Sequence, residues 1–341
     1  MSEIKLSIII PVYNAAGFLA RLVGGIDISD CEIILVDDGS TDGSAELCDR
    51  MAGEDPRIVA LHQPNQGPSA ARNAGLARAC AQRVCFFDAD DSLAPGFASA
   101  IDPALRADAD LTVFAFDVND GGKFERIAVG PRIYSRTDFG EYLALEVIGK
   151  RYGNGFLWNK IYRTDLARAI GFDPGLRMME DEIFNQKYLR LCRTVECRDK
   201  AFYTYNITGG TNSRARFIDR YYDAVDNVFR NFLSLAEEFP IPDGPLQARF
   251  RRDLNARTAR GLFYALSFHL FHPESDLSAD GRRDMLARIA SSASFKAIES
   301  DPATSRELRL YIGRARRQSL TGLKLLTSTF AFLRKIKART R

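Results

Sequence analysis

The chain turns from apolar to acidic within eight residues, at Val84-Cys85-Phe86-Phe87-Asp88-Ala89-Asp90-Asp91. The apolar half predicts a buried strand, and the three carboxylates that follow repel one another unless a cation lies between them. Oxygen ligands without a nearby thiolate or imidazole suit Mg²⁺ or Mn²⁺. The stretch therefore predicts a strand end that binds a divalent cation.

The same acidic pattern occurs a second time, at Asp108-Ala109-Asp110. This copy follows the helix-like residues 104–106, so we expect a solvated helix end there. In open α/β sheets, ligands bind beyond the carboxyl ends of the strands, and only the first copy follows a strand. Position therefore favours the first copy as the cation site.

Strand-like and helix-like segments alternate on the N-terminal side of this site. The predicted strands are 6–12, 31–36, 58–61 and 84–87, and the helices are 18–26, the segment with Leu47 and Met51, and 69–79. This alternation predicts an α/β fold with a doubly wound, mainly parallel sheet flanked by helices. The strand ends near residues 13, 38 and 90 should then share one crevice.

The rest of the chain predicts a different organisation. Residues 111–117 and 124–133, joined by Asp120-Gly121-Gly122, are typical of a hairpin. From 217 onward the pattern predicts a C-terminal α-helical extension. Because 341 residues exceed one typical core, we expect two domains, 1–216 and 217–341.

Composition indicates a folded protein of the cytoplasm. Apolar residues make up 46% and charged residues 27% of the chain, and no run of 18 apolar residues occurs. The N-terminus does not resemble a signal peptide, since Pro11 and Asn14 interrupt its apolar run. The six cysteines form no C-x-x-C pair, so we expect reduced core thiols.

Positive charge is concentrated at the C-terminus. Residues 306–341 hold eleven Lys or Arg and one Glu, in a chain whose net charge is +3. A basic amphipathic helix of this kind suits an anionic membrane surface, which would make the protein peripheral on the inner face of the membrane. The alternative is a solvated basic face packed on the rest of the protein. Nucleic acid is not expected as a partner, because no recognition motif accompanies the charge.

Four motifs come in one order along the chain. They are Ser7-Ile8-Ile9-Ile10-Pro11-Val12-Tyr13-Asn14, Val36-Asp37-Asp38-Gly39-Ser40-Thr41-Asp42, Gly67-Pro68-Ser69-Ala70-Ala71-Arg72-Asn73, and Asp88-Ala89-Asp90-Asp91 with Pro95. Together they resemble the family 2 glycosyltransferases of the GT-A fold. Trp158-Asn159-Lys160 followed by Glu180-Asp181 is similar to the acceptor-side acidic motif of that family. The resemblance covers residues 4–216.

The resemblance implies an inverting, metal-dependent transfer of one sugar from a nucleotide-diphosphate sugar, with a UDP-sugar expected. The acceptor would be a hydroxyl of a saccharide or lipid-linked molecule in cell-surface or extracellular polysaccharide synthesis. A non-processive enzyme is expected, because Gln186-Lys187-Tyr188-Leu189-Arg190 does not match the Q-x-x-R-W motif of the processive synthases.

Residue roles follow on the donor side. Tyr13 and Asp38 are candidates for the nucleotide base, together with Pro11 of the same motif, although Tyr13 could instead be a core residue and Asp37 a turn cap. Arg72, in the first turn of its helix, suits an anion, with an exposed helix residue as the alternative.

The acidic residues receive the remaining donor-side roles. By resemblance Asp90 would ligate Mn²⁺ or Mg²⁺, and Asp88 would contact the ribose. Asp91 would cap or orient the loop, or lie near the sugar.

On the acceptor side, the attacking hydroxyl needs a carboxylate base. Asp181 fits this role, and the adjacent Glu180 is the alternative. Because adjacent residues of a helix point about 100° apart, we expect only one of the two to face the site squarely. Trp158 is a candidate sugar platform beside Lys160, or a core residue. Arg214 and Arg216 could close a loop on the diphosphate, or belong to a solvated loop.

Two other classes of function remain open. A sugar-nucleotide nucleotidyltransferase also pairs a doubly wound sheet with an acidic metal site, but its usual first loop is Gly-rich and basic. A non-catalytic scaffold of the same fold would be expected to lose its carboxylates, whereas Asp38, Asp90 and Asp181 are present. Release of UDP would indicate a glycosyltransferase, and release of pyrophosphate would indicate a nucleotidyltransferase.

Overall fold

The N-terminal apolar runs form four parallel strands in a computed structural model of the chain, which describes residues 4–149, 155–207, 218 and 220–339, with the backbone only for 331–339. The strands are β1 (Leu6–Val12), β2 (Cys31–Asp37), β3 (Ile58–His62) and β4 (Arg83–Phe86). They lie in the order β3-β2-β1-β4, and each neighbouring pair is parallel. β2 is buried along its whole length, which explains its continuous apolar sequence.

Helices connect these strands. They are α1 (Leu19–Gly24), α2 (Ser44–Glu54) and α3 (Pro68–Arg78). The chain builds β2 and β3 on one side of β1 and then returns to place β4 on the other side. The carboxyl ends of β1 and β4 therefore flank the point where the strand order reverses, which is where open α/β sheets bind ligands.

The second half of the sheet is mixed. Its members are β5 (Ser92–Leu93), β6 (Leu111–Asp120), β7 (Lys123–Ile127), β8 (Arg132–Ser135), β9 (Lys160–Arg163) and β10 (Thr194–Asn206). Beyond β4 the order is β9-β6-β10-β5, with β7 on β6 and β8 on β10; β6 and β10 are parallel and the other pairs are antiparallel. The predicted hairpin is confirmed for β6 and β7. Residues 132–133 instead belong to β8, which pairs with β10.

The helices of this half are α4 (Phe97–Arg106), α5 (Phe139–Tyr142), which continues into a π-helical turn at Leu143–Val147, α6 (Thr164–Ile170) and α7 (Glu180–Leu191). The predicted α/β class with a doubly wound sheet is confirmed. The chain divides into two units, Met1–Asn212 and Ser213–Arg341.

The second unit is helical in its described residues, as the sequence predicts from 217 onward. Its helices are α8 (Tyr221–Glu238), α9 (Pro245–Ser267), α10 (Ala279–Ser291), α11 (Ala293–Ser300), α12 (Arg306–Arg316) and α13 (Leu320–Arg339). The basic segment thus forms two helices instead of one, separated at Gln318, whose φ is 51°. Leu308, Tyr311 and Leu323 of this segment are buried.

Two further expectations concern the membrane and the cysteines. Among the residues that the structure describes, no helix is long and apolar enough to cross a membrane. All six cysteines are free. Five are buried, as predicted for core thiols, whereas Cys80 is exposed.

Candidate active site

Two strand-end loops are tied together by Asn14, which follows β1. Its backbone N–H donates to the Ser40 hydroxyl at 3.0 Å, and its side-chain oxygen accepts from the Thr41 N–H at 2.8 Å. Asn14 adopts a φ of 50°, a left-handed conformation that Asn tolerates better than most residues. The preceding Tyr13 is 52% exposed and Pro11 is half-buried in β1, so the core alternative for Tyr13 is wrong.

Asp38, at the end of β2, organises the turn that leads into α3. One of its oxygens accepts from the Gln63 side-chain amide at 2.7 Å and the Gln66 N–H at 2.9 Å. The other accepts from the N–H of Gly67 at 2.8 Å. Gly67 has a φ of +87°, which favours glycine, and Pro68 then starts α3. Sequence reasoning missed Gln63, because a single glutamine after a strand carries no distinguishing pattern.

Asp37 faces the other way and caps its own turn. Its Oδ1 accepts from the Ser40 N–H at 3.1 Å, and its Oδ2 lies 3.3 Å from Nδ1 of His62. The turn-cap alternative for Asp37 is therefore confirmed. Asp37 and Asp38 are both buried, so they brace the strand-end loops on which Tyr13 is exposed.

Arg72 joins two acidic parts of the site. Its Nη1 lies 2.8 Å from an oxygen of Asp181 and 3.2 Å from one of Glu180, while its Nη2 lies 3.2 Å from an oxygen of Asp88. The guanidinium packs over the ring of Phe172, 5.5 Å from its centre. Arg72 is buried, so the alternative of an exposed helix residue is wrong. Burial lowers its pKa, but the three carboxylates raise the pKa by more.

Glu180 and Asp181 begin α7, directly after Met179, whose φ is 59°. Both carboxylates reach the same nitrogen of Arg72, so the expectation that only one could face the site squarely is wrong. Residues of a first helical turn can converge on one cation when their side chains differ in length. Burial raises the pKa of Asp181, and Glu180 adds to this, while Arg72 acts in the opposite direction. Asp181 is therefore more basic than an ordinary aspartate.

Of the three carboxylates after β4, Asp88 and Asp90 are partly accessible to solvent. Asp88 is 38% exposed and faces Arg72, whereas Asp90 is half-buried, and burial together with Asp88 raises its pKa. Arg21 donates to the backbone carbonyls of Asp90 and Asp91 at 2.9 and 3.3 Å and thereby fixes the loop after β4.

Asp91 has turned away from this pair. It is 1% exposed; one oxygen accepts from the Tyr203 hydroxyl at 2.8 Å and the other from the Asn206 N–H at 2.9 Å. Burial, reinforced by Asp88, raises its pKa to about 8. Asp91 therefore anchors the loop to β10, as one predicted alternative states, and a sugar contact does not fit its burial.

Asp88 and Asp90 could bind a divalent cation through only one or two protein ligands. In residues 4–149, 155–207 and 220–330, no three His, Cys, Asp or Glu side chains form a metal-binding group. Mg²⁺ in phosphate-handling enzymes is held through one or two carboxylates together with substrate phosphates, so a smaller protein contribution is sufficient. The raised pKa of Asp90 beside a second carboxylate is expected where a cation belongs. The residues present therefore fit such an ion, with Asp90 as its candidate ligand.

The second acidic copy has a structural role. Asp108 is exposed, but Asp110 is 1% exposed and accepts from the N–H groups of Arg193 and Thr194 at 2.7 and 3.2 Å. Arg163 adds an ion pair at 3.1 Å. The predicted solvated helix end is therefore wrong for Asp110, which joins β9 to the start of β10.

Trp158 and Lys160 are core residues. Trp158 stacks between Phe156 and Tyr203, with ring centres 4.7 and 4.6 Å away. The Lys160 ammonium donates to the Phe156 carbonyl at 2.5 Å and to the Asn159 side chain at 2.9 Å. Both residues are 2% exposed or less, so the predicted sugar contacts are wrong, because neither side chain reaches the surface. Arg214 and Arg216 lie outside the described residues.

The comparisons agree with the family that the motifs predict. Residues 7–171 match the family model for glycosyl transferase family 2. The chain is 29% identical to glycosyltransferase GlyA of Streptococcus pneumoniae over 273 residues, which are 77% of this chain and 39% of GlyA. It is 29% identical to glycosyltransferase GlyG of the same organism over 252 residues, 69% of this chain and 81% of GlyG. The match thus spans less than half of the first relative and most of the second.

A solved structure has a similar fold. The crystal structure of residues 1–349 of Staphylococcus aureus TarS in complex with UDP superposes with a TM-score of 0.61 at 19% identity, covering 96% of this chain and 91% of that chain. The same part of TarS is similar in its complex with UDP-GlcNAc, also at a TM-score of 0.61. The predicted GT-A fold is confirmed.

Proposed function

We propose that this chain, whose residues 7–171 match the family model for glycosyl transferase family 2, transfers one sugar from a UDP-sugar to a hydroxyl of a saccharide or lipid-linked acceptor. The observation that carries this proposal is the buried Arg72, which contacts Asp88 after β4 and both carboxylates at the start of α7. A single guanidinium thereby joins the donor-side acidic loop to the candidate base. Such an arrangement suits a reaction in which a diphosphate leaves on one side while a proton is removed on the other.

The nucleotide would bind at the ends of β1 and β2. Tyr13 offers an exposed ring beside the braced loop that Asn14 and Asp38 hold, and a uracil ring has two flat faces for stacking. Asp38 retains acceptor capacity, because a carboxylate has about four acceptor sites and three are used here. The UDP bound to TarS, a protein of similar fold, supports a uridine nucleotide.

Asp90 would hold Mn²⁺ or Mg²⁺ together with the diphosphate, and Asp88 would contact the ribose or its surroundings. When bound, the ion would stabilise the negative charge that develops on the departing diphosphate. Arg72 would hold Asp88 and Asp181 at a fixed separation on either side of its guanidinium. Burial protects these ion pairs from screening by salt.

Asp181 would act as the general base. Its raised pKa brings it closer to the operating pH, where proton transfer is most effective. The acceptor oxygen forms a bond to the anomeric carbon as the bond from that carbon to the diphosphate oxygen breaks, and the hydroxyl proton passes to Asp181. A single displacement of this kind inverts the anomeric configuration, so an α-linked donor gives a β-linked product.

The test is a panel of nucleotide sugars with Mn²⁺, in which simple sugars serve as surrogate acceptors and mass spectrometry identifies the released nucleotide. We expect free UDP from a UDP-sugar and no release by Asp181→Asn. Release of pyrophosphate would instead indicate a nucleotidyltransferase. Absence of thermal stabilisation by any UDP- or GDP-sugar would favour a scaffold, since a ligand at a hundredfold excess over its dissociation constant stabilises by about 2.7 kcal/mol.

A further inference from the structure

A histidine lies between two carboxylates at the end of β3. The Nε2 atom of His62 lies 2.9 Å from an oxygen of Asp49 in α2, and its Nδ1 atom lies 3.3 Å from Oδ2 of Asp37 at the end of β2. A neutral imidazole has one N–H donor, whereas the imidazolium has two. Because ionised carboxylates only accept hydrogen bonds, both contacts are hydrogen bonds only when His62 is positively charged.

The surroundings of His62 favour that charge. Among the described residues, the charged side chains that contact it are the buried Asp37 and the exposed Asp49. The hydrogen bond to Asp49 raises the pKa of His62, burial acts in the opposite direction, and Asp37 adds to the rise. Cys48 of α2 is a further titratable neighbour of both aspartates, but burial raises the pKa of its thiol to about 12, so this thiol stays neutral.

Asp37 connects His62 to the donor side of the site. Its other oxygen accepts from the Ser40 N–H at 3.1 Å, and the Ser40 hydroxyl accepts from the Asn14 N–H at 3.0 Å. Asn14 directly follows Tyr13, whose exposed ring is the proposed platform for the nucleotide base. His62 therefore supports the loops that would hold the nucleotide, and its charge offsets that of Asp37 where an anionic donor would bind.

We propose that His62 is a positioning residue for the nucleotide, whose imidazolium form holds Asp37 and the attached loops in the donor-binding arrangement and whose deprotonation weakens donor binding. This inference rests on the proposed nucleotide-binding function of these loops. A neutral imidazole would turn the lone pair of one ring nitrogen towards a carboxylate oxygen. Since the pKa of folded His62 is raised, both contacts are complete below the ordinary pKa of histidine near 6.5 and are lost as pH rises through the raised value.

The experiment measures the dissociation constant of UDP, at fixed Mg²⁺, between about pH 6 and about pH 9 for the full chain, His62→Arg and His62→Gln. His62 is partly exposed, which leaves room for arginine. Arginine keeps its charge throughout this range, whereas glutamine never has one. We expect the unaltered chain to bind UDP roughly threefold more weakly at the upper end, beyond any change in His62→Gln.

His62→Arg should bind as tightly as the unaltered chain at low pH and lack that additional change. Titration of UDP and of the other carboxylates affects all three proteins alike, so the difference isolates His62. Equal pH dependence in the unaltered chain and in His62→Gln would overturn the proposal.

Asp49→Asn is a second test that keeps the histidine and does not depend on the folding of a His62 variant. Asp49 contacts the ring nitrogen that does not face Asp37, so it lies outside the proposed nucleotide contacts. Removing its charge should move the pH dependence of UDP binding to lower pH, and an unmoved dependence would contradict the proposal.

Absence of UDP binding at every pH would instead contradict the proposed function. The free energy of urea unfolding would still test His62, because it should fall between the same pH values by more in the unaltered chain than in His62→Gln.

Discussion

At the scale of single residues, the two acidic copies provide a matched pair for the metal proposal. Asp90→Asn should lower kcat/KM by roughly a hundredfold or more, because a metal ion supplies several kcal/mol of charge stabilisation in such reactions. Asp108→Asn, the same change at an exposed carboxylate in the same acidic pattern, should leave activity unchanged. Steady-state rates over a Mn²⁺ titration make the comparison. Equal metal dependence in both variants would remove Asp90 from the site.

The pH dependence of kcat tests the base. Asp181 must be ionised to accept a proton, and its pKa is raised, so kcat should fall as pH decreases, beginning above the range of an ordinary aspartate near 3.9. Asp181→Asn should lose roughly 10²–10⁴ in kcat. Glu180→Gln should keep activity with an acidic limb moved to lower pH, because the Glu180 charge helps to raise the pKa of Asp181; the variant also loses an ion pair with Arg72. An inactive Glu180→Gln beside an active Asp181→Asn would reverse the assignment.

The positions of site residues were predictable where a side chain stands at the end of a predicted strand. Asp38 follows the apolar run of β2, and Asp88 and Asp90 follow that of β4; the sheet places these two strands on either side of β1. Lys160 and Asp91 were not predictable in the same way. Asp91 accepts hydrogen bonds from Tyr203 and Asn206, which are distant in sequence, and Lys160 lies in β9 between β4 and β6; no local pattern of letters encodes either environment.

At the scale of elements, the packing of α3 on β1 sets the position of Arg72. A Cβ added at Gly75 would lie 2.4 Å from Cγ2 of Ile9, which is fully buried in β1. Gly75→Ala should therefore cost about 1–3 kcal/mol of overpacking, only partly offset by the roughly 1 kcal/mol that alanine gains over glycine in a helix. It should also lower kcat, because Arg72 lies one turn earlier. Urea unfolding measures the first effect.

Gly53 in α2 is the control, since nothing lies within 4 Å of a Cβ added there. Gly53→Ala should raise stability by about 0.4–1 kcal/mol and leave kcat unchanged. A stabilised Gly75→Ala would mean that α3 does not approach β1 this closely.

The strands β1 to β4 were predictable from their apolar runs, whereas the antiparallel β9 was not, because its pairing with β4 and β6 joins segments far apart in sequence.

At the scale of the whole molecule, the question for the basic segment 306–341 is whether it binds a membrane surface. Leu308, Tyr311, Ile312 and Leu323 are buried within the C-terminal unit, which favours the packed alternative for these apolar residues. Deleting the segment is therefore a poor test of membrane binding, because it would expose these apolar residues and the resulting unfolding could not be separated from a loss of binding. The basic side chains at 314, 317 and 324 remain exposed, and Leu325 is 68% exposed beside them. A membrane contact would therefore depend mainly on charge.

We expect this surface to bind anionic vesicles weakly and in a salt-dependent manner. Each basic residue near an anionic surface contributes about 1 kcal/mol, so Arg314→Gln, Arg317→Gln and Lys324→Gln together should weaken binding by roughly a hundredfold. Co-sedimentation with vesicles containing phosphatidylserine, against neutral vesicles and against raised salt, measures this. The control replaces Arg230, Arg251 and Arg283, three exposed arginines of the same unit, with Gln and changes the net charge equally. Equal losses in both triple variants would indicate a general charge effect, and no binding by the unaltered chain would leave the basic segment a solvated face of its own unit.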